Sequence, residues 1–114
     1  YCLKDAKYIR PCFEALAALR APLGVYAVLG NHDYWHGLDE TRAGFEAAGV
    51  RELTNERVWL ERGAGRVCLA GVDDWWMGQV DVRGALADAG PGDAVLLLSH
   101  NPDVAERMRD TRVG

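Results

Sequence analysis

Two kinds of hydrophobic pattern alternate along the chain. Near its start, four apolar residues recur at intervals of four and three, which is the spacing of one face of a helix. These residues are Tyr8, Cys12, Leu16 and Leu19. Residues 25–29 and 94–98 are instead short, continuous apolar runs, which indicate strands that are covered on both faces.

The remaining elements follow from turn residues and shorter apolar stretches. Pro11 either opens or kinks the first helix, and Gly49 is expected to end the helix whose inner face carries Phe45 and Ala48. The order α-β-α-β-β-β-α-β-α predicts an α/β layered sheet. The predicted helices cover residues up to 20, 38–48, 81–89 and from 102 or 103 onward, and the predicted strands cover residues 25–29, 50–53, 58–60, 66–72 and 94–98.

Composition narrows the classes of function. The 114 residues suffice for one domain, and the 49% hydrophobic and 26% charged content is ordinary for a globular protein. The net charge of -4 and the lack of a Lys/Arg cluster argue against a nucleic-acid surface. A substrate phosphate would therefore be held by bound metal cations and not by a basic patch. No apolar run approaches the roughly 20 residues of a membrane span.

The three cysteines do not suggest a disulfide framework. Cys2, Cys12 and Cys68 make an odd count without a C-x-x-C pair. Cys12 and Cys68 fall in a helical and a strand pattern, and both are predicted to be small buried hydrophobes.

Polar residues that could bind a metal or transfer a proton follow two of the predicted strands. Residues 25–29 lead into Asn31, His32 and Asp33, and residues 94–98 lead into His100. Ligand sites in open α/β sheets gather beyond the carboxyl ends of strands, so these side chains are expected to meet at one edge of the sheet. An amide oxygen from Asn31 and an imidazole nitrogen from His100 would suit Mn, Fe or Zn.

The other two polar residues have a proton-transfer interpretation. His32 is a candidate proton donor near phosphate oxygens, and Asp33 is a candidate partner that orients its imidazole. Purely structural interpretations of these residues stay open. Residues 30–33 are also turn residues, and for this tetrapeptide taken alone the turn and the functional interpretations are equally supported. His100 taken alone could equally cap a helix or lie in the core.

Three further features have weaker functional interpretations. Asp73 and Asp74 could bind a metal, although a solvated loop or a helix cap is favoured. Trp75 and Trp76 either line a substrate cleft or fold back onto the core. His36 has no partner at a useful spacing, and it is predicted to lie on the surface.

Taken together, these segments resemble a known family. Gly30-Asn31-His32-Asp33 resembles the G-N-H-[D/E] motif of the calcineurin-like metallophosphoesterases. The stretch Leu-Leu-Ser-His-Asn-Pro-Asp at residues 97–103 resembles the later single-histidine motif of that family. Residues 26–35 and 71–74 look like the bacterial YkuE/YaeI-type branch.

The resemblance also implies missing parts. The family's D-x-H and G-D motifs precede G-N-H-[D/E], its G-H-x-H follows the single histidine, and none of the three occurs at the required ends here. Tyr1 would follow the aspartate of a G-D-Y sequence. Residues 1–114 are therefore expected to be a single partial domain, an internal fragment of the four-layered α-β-β-α sandwich that is incomplete at both ends.

The family's chemistry assigns roles by motif. In the parent enzyme, two divalent ions would hold a bridging hydroxide that attacks a phosphomonoester or phosphodiester. Asn31 and His100 would ligate the second ion, and His32 would act as acid or electrostatic stabiliser with support from Asp33. With two ligands, the fragment is expected to bind at most one ion, weakly, and to be inactive.

Several properties stay open at this level. A non-catalytic binding domain that kept the fold is the alternative function. The identity of the phosphate-ester substrate is not indicated. The family branch implies a membrane-anchored or exported parent, with a cytoplasmic protein as the other outcome.

Overall fold

A computed structural model describes residues 5–108, 112 and 113, so Tyr1 and Cys2 lie outside the described residues. A short 3-10 helix, Ala6–Tyr8, leads into the first α-helix. The α-helices are α1 (Ile9–Leu16), α2 (Asn31–His36), α3 (Leu38–Ala48), α4 (Val82–Ala85) and α5 (Asp103–Arg107). The strands are β1 (Val25–Ala27), β2 (Val50–Glu52), β3 (Glu56–Arg62), β4 (Gly65–Gly71) and β5 (Val95–Leu98).

The strands form two sheets. In the first, β1 and β2 pair in parallel, as expected for two strands joined by helices. In the second, β3 and β4 form an antiparallel hairpin with Gly63 at positive φ in its turn, and β5 adds in parallel beside β4. This mixed α/β arrangement confirms the predicted fold class, and it is consistent with part of a layered α-β-β-α sandwich.

Gly71, the last residue of β4, lies close to the residues that directly follow β1 and β2. A Cβ atom at this position would lie 2.3 Å from the carbonyl oxygen of Leu53 and 2.7 Å from a methyl group of Val28. Only a glycine therefore lets the end of β4 pass this close to the first sheet.

Each sheet covers its own hydrophobic cluster. In the first cluster, α1 and α3 pack on β1 and β2, and the rings of Phe13 and Phe45 meet edge to face at 5.1 Å between centroids. The predicted inner face of α3 is confirmed, because Phe45 and Ala48 are both buried. Its predicted end is confirmed as well, since Gly49 has a left-handed backbone with φ of 68°. The second cluster comprises Cys68, Ala70, Val72, Ala85, Leu86, Ala89 and Val104.

Several element predictions were wrong in detail. The first helix ends at Leu16, and Pro11 lies in its first turn, where a missing N–H costs nothing. The helix predicted over residues 81–89 is the single turn α4, capped by Asp81, which accepts a hydrogen bond from Gly84 at 2.8 Å. Strand β5 is not covered on both faces, because Leu96 is 55% exposed. An apolar run predicts burial on both faces only where a layer packs on each face of the strand.

The cysteine prediction holds for Cys68, which is fully buried, whereas Cys12 is half-buried against the first cluster. No helix in the described ranges combines the length and the hydrophobicity that crossing a bilayer requires.

Candidate functional site

The motif from Gly30 to Asp33 begins a helix, so the turn interpretation was wrong. Gly30 has extended backbone (φ −123°, ψ 169°), and helix α2 starts at Asn31. The backbone N–H of Gly30 donates to Oδ2 of Asp33 at 2.9 Å, which is the return bond by which an acidic third residue stabilises a helix start. The buried carboxylate of Asp33 therefore stabilises the start of α2, and with it the positions of Asn31 and His32.

His32 is held by its helical neighbours. Its ring lies 4.9 Å from that of Trp35 and 5.4 Å from that of His36, measured between centroids. Nδ1 of His32 is buried and has no hydrogen-bond partner among the described residues, so the expected bond from Asp33 is not made at this nitrogen. Ring packing, and not a carboxylate on Nδ1, positions the imidazole.

His36 is not the isolated surface residue that was predicted. It is half-buried and lies four residues after His32, which places both rings on one face of α2. The prediction failed because this spacing is informative only when a helix is expected, and no helix was predicted here.

His100 and Asn31 come together, as the two strand ends suggested. Nε2 of His100 lies 3.1 Å from Oδ1 of Asn31. The imidazole packs on Gly30, where an added Cβ would lie 2.8 Å from Nδ1 of His100. The two residues follow strands of different sheets, so the expected single sheet edge was wrong and the pair lies where the two sheets meet. Asn31 is buried and His100 is exposed.

The separation of this pair is that of a direct hydrogen bond, and it also falls in the range for two donors of one cation. Metal bonds from nitrogen or oxygen are about 2.0–2.2 Å long, so two adjacent donors around one ion lie about 3 Å apart. The Nε2–Oδ1 separation of 3.1 Å meets that requirement. The part of the chain that the structure describes contains no group of three or more His, Cys, Asp or Glu residues placed to hold a metal. These residues therefore contribute two donors and not a complete set.

Asp73 and Asp74 organise the loop that follows β4. Both are buried, with Asp74 fully enclosed. Asp73 accepts the backbone N–H of Gln79 at 3.0 Å, and Oδ1 of Asp74 accepts those of Trp76 at 2.9 Å and Met77 at 2.8 Å. The pair thus bonds the backbone of its own loop, and it is the N-cap of none of the helices α1 to α5. The expectation that the pair is solvated was wrong, since both side chains are buried. Backbone N–H groups bond to Oδ1 of Asp74, whereas its Oδ2 is buried and has no hydrogen-bond partner among the described residues.

The same loop, residues 73–79, is attached to both strand-end segments of the site. The hydroxyl of Tyr34 in α2 donates to Oδ1 of Asp73 at 2.5 Å. The backbone N–H of Trp75 donates to Oδ1 of Asn101, the residue after His100, at 2.7 Å. Burial, together with the bond to Asp73, raises the pKa of the Tyr34 hydroxyl well above its usual value. No role for Tyr34 or Asn101 was predicted, since both bond to residues that are distant in the sequence.

The two adjacent tryptophans behave differently. Trp75 is half-buried against the second cluster, with the guanidinium of Arg107 stacked 4.9 Å above its ring. Trp76 is 63% exposed. Of the two interpretations, folding onto the core holds for Trp75 and not for Trp76.

Comparison with known proteins gives a consistent result. The chain is 34% identical, over 97% of its length, to a transmembrane protein with a metallophosphoesterase domain from Bos taurus. It is 33% identical over 85% of its length to the metallophosphoesterase YkoQ of Bacillus subtilis, and 34% identical over 90% to a metallophosphoesterase of Aquifex aeolicus. It spans 28%, 37% and 39% of the lengths of these relatives, respectively.

No protein-family model matches the chain. No solved structure matches it either. The relatives include animal as well as bacterial proteins, so the similarity extends beyond the bacterial branch.

Proposed function

Because these similarities support the metallophosphoesterase superfamily for this chain, we propose that it is part of a dinuclear metal-dependent phosphoesterase acting on phosphomonoesters or phosphodiesters. The observation that carries the proposal is the approach of His100 Nε2 to Asn31 Oδ1 at 3.1 Å. Two neutral donors from two different strand ends converge at the position where a cation would be held.

Asn31 and His100 would be two ligands of one ion. When bound, divalent cations stabilise the charge on phosphoryl oxygens and favour deprotonation of the attacking water. Neutral amide and imidazole donors leave the positive charge of the cation intact, which suits the binding of an anionic phosphate. Mn, Fe and Zn all accept such a mixed oxygen and nitrogen environment.

His32 would act on the leaving oxygen. It is adjacent to Asn31 in the first turn of α2, so a phosphate held near Asn31 lies within reach of its ring. Because Nδ1 is buried and has no hydrogen-bond partner in the described part of the chain, the ring would exchange or share a proton through Nε2. Trp35 and His36 hold the imidazole in place by ring contacts.

Asp33 would support the site indirectly. Its carboxylate bonds to the Gly30 N–H and so fixes the start of α2. Loss of this bond would shift Asn31 and His32 together. Asp33 is therefore assigned a positioning role and not a direct part in proton transfer.

The proposal also covers the family branch, the membrane association of the whole protein and the inactivity of the 114 residues alone. The motif phrasing at residues 26–35 and 71–74 supports the YkuE/YaeI-type branch. The bovine relative is named a transmembrane protein, which supports membrane association of the whole protein. The 114 residues alone are proposed to be inactive, because the described part contributes two metal donors.

The test uses the protein expressed from its complete reading frame. We expect Mn²⁺-stimulated hydrolysis of bis(4-nitrophenyl) phosphate. His32→Ala should lower kcat/KM about 100-fold or more while leaving the amount of bound metal unchanged. Asn31→Ala and His100→Ala should lower both the activity and the bound metal, measured by elemental analysis after dialysis.

Leu23→Ala, at an exposed position before β1, is the control and should change neither quantity. Full activity in His32→Ala would contradict the role of that residue. Absence of metal-dependent hydrolysis in the unmodified protein would favour the alternative, a non-catalytic domain that kept the fold.

A further inference from the structure

Two large apolar side chains are exposed near the proposed site, one of them against His32 and the other against the first. Trp35 is 54% exposed and Met77 is 42% exposed. The indole Nε1–H of Trp35 donates to Sδ of Met77 at 3.2 Å, and the Trp35 ring lies 4.9 Å from that of His32. A continuous apolar surface therefore joins α2 to the loop of residues 73–79 at the proposed site.

Hydrogen bonds to two buried carboxylates hold the segments that carry Trp35 and Met77. The residue before Trp35, Tyr34, bonds through its hydroxyl to buried Asp73. Met77 is held by its backbone N–H, which donates to buried Asp74 at 2.8 Å. The two exposed side chains thus rise from backbone that buried carboxylates hold in position.

Gly78 shows how tightly the loop closes on its support. A Cβ atom at Gly78 would lie 2.2 Å from the carboxyl group of Asp73. The residue after Met77 therefore has to be a glycine for the loop to close over this carboxylate. Such close packing fixes the position of Met77 relative to Trp35.

The exposed side chains are not explained by the fold. Among the described residues, neither Trp35 nor Met77 is a member of either hydrophobic cluster. Exposed apolar surface that is held rigidly, and that borders polar functional groups, is typical of a recognition site.

The chemistry of the surface indicates what it recognises. The one hydrogen-bond donor of Trp35 is already used on Met77, so the indole offers its ring for contact. Indole rings and thioethers bind aromatic and aliphatic groups through packing and not through charge. Because His32 is assigned to the leaving oxygen, the neighbours of its ring border the leaving-group side of the substrate.

We propose that Trp35 and Met77 form an apolar wall that binds an aromatic or aliphatic group attached to the leaving oxygen of a phosphate ester. This inference rests on the proposed function, and in particular on the assignment of His32. It restricts the substrate class to phosphate esters whose leaving alcohol or phenol is apolar.

The test compares two non-hydrolysable inhibitors with the protein from the complete reading frame. Phenylphosphonate carries the aromatic group and methylphosphonate does not. Trp35→Ala should raise the inhibition constant of phenylphosphonate roughly three- to tenfold and change that of methylphosphonate less than about twofold. Trp35→Phe should keep most of the phenyl preference, and Met77→Ala should reduce it to a smaller extent than Trp35→Ala.

Leu23→Ala is the matched control, because Leu23 is another exposed apolar residue, 43% exposed, that precedes β1 at the end opposite to Gly30. It should leave both inhibition constants unchanged. Isothermal titration of both phosphonates provides a readout that does not depend on turnover.

The outcomes separate the two proposals. If the unmodified protein hydrolyses bis(4-nitrophenyl) phosphate but Trp35→Ala keeps the phenyl preference, the wall is overturned and the proposed function stands. If the unmodified protein neither hydrolyses the ester nor binds either phosphonate, both are overturned. If Trp35→Ala loses binding to phosphatidylcholine–phosphatidylglycerol vesicles and keeps the phenyl preference, the surface is a membrane contact and the wall is overturned.

Discussion

The hydroxyl of Tyr34 donates a 2.5 Å hydrogen bond to Oδ1 of Asp73, which lies 39 positions later in the sequence. This bond attaches helix α2, which carries Asn31 and His32, to the loop that ends beside the same site. Together with the bond from Trp35 to Met77, this side-chain pair sets the placement of α2 relative to the loop. Its strength can be measured through its pH dependence.

Tyr34→Phe should remove an alkaline loss of stability. The pKa of Tyr34 is raised above 10.0, chiefly by burial and then by the bond to Asp73, so the folded protein holds this proton more tightly than the unfolded chain does. The contribution of this proton to the free energy of unfolding is complete below pH 10 and declines as the pH rises above that value. Urea unfolding followed by tryptophan fluorescence between pH 7 and 11 should show a flatter profile for the variant.

At pH 7 the same variant should lose about 1 kcal/mol of unfolding free energy, because Asp73 loses a donor. Tyr8→Phe, at an exposed tyrosine, is the control and should keep the original profile. Identical slopes for Tyr34→Phe and the unmodified protein above pH 10 would contradict this account.

Asp74→Ala should destabilise the fold by about 3 kcal/mol. The fully buried carboxylate accepts the N–H groups of Trp76 and Met77, and its removal leaves both without an acceptor. Glu61→Ala, at an exposed position on β3, should change the unfolding free energy by less than about 0.5 kcal/mol. Equal unfolding midpoints in urea for the two variants would show that Asp74 does not organise the loop.

Gly30→Ala should disturb the Asn31–His100 pair. The new methyl group would lie 2.8 Å from the His100 ring, so the imidazole has to move away from Asn31. We expect metal affinity, measured by titration of the complete protein with Mn²⁺, to fall about tenfold. Gly92→Ala is the matched control, because a Cβ at that position meets nothing within 4 Å. Unchanged affinity in Gly30→Ala would indicate that His100 does not bind the ion from this position.

Cys68 should resist alkylation in the folded protein. Burial raises the pKa of its thiol, and the thiolate is the reactive form. Half-buried Cys12 should react with iodoacetamide at least about ten times faster than Cys68 at pH 8. Peptide mapping by mass spectrometry separates the two sites, and unfolding in urea should equalise their rates.

The sequence predicted best where a pattern extends over a whole element. Helix α3 was predicted with its actual bounds, because a periodic apolar face and a terminal glycine both mark it. The β3–β4 hairpin and strand β5 were predicted to within two residues at each end. Strand ends also indicated correctly that Asn31 and His100 approach each other.

The predictions failed where the structure depends on distant contacts. Six residues are too few to show helical periodicity, so α2 was not predicted and the alignment of His32 with His36 was missed. Two adjacent aspartates indicate an exposed loop, because buried carboxylates need partners. The partners are backbone N–H groups within the loop and the hydroxyl of Tyr34. No local sequence pattern indicates these contacts.

The close approach at Gly71 joins the first sheet to the end of β4 through backbone contact with Leu53. Opening either sheet there would remove packing from the other. Hydrogen exchange should therefore show the amide protons of β2 and β4 opening with a shared free energy, as parts of one cooperative unit. The proposed metal ligands lie beyond strands of both sheets, so the integrity of the site would follow the opening of that unit.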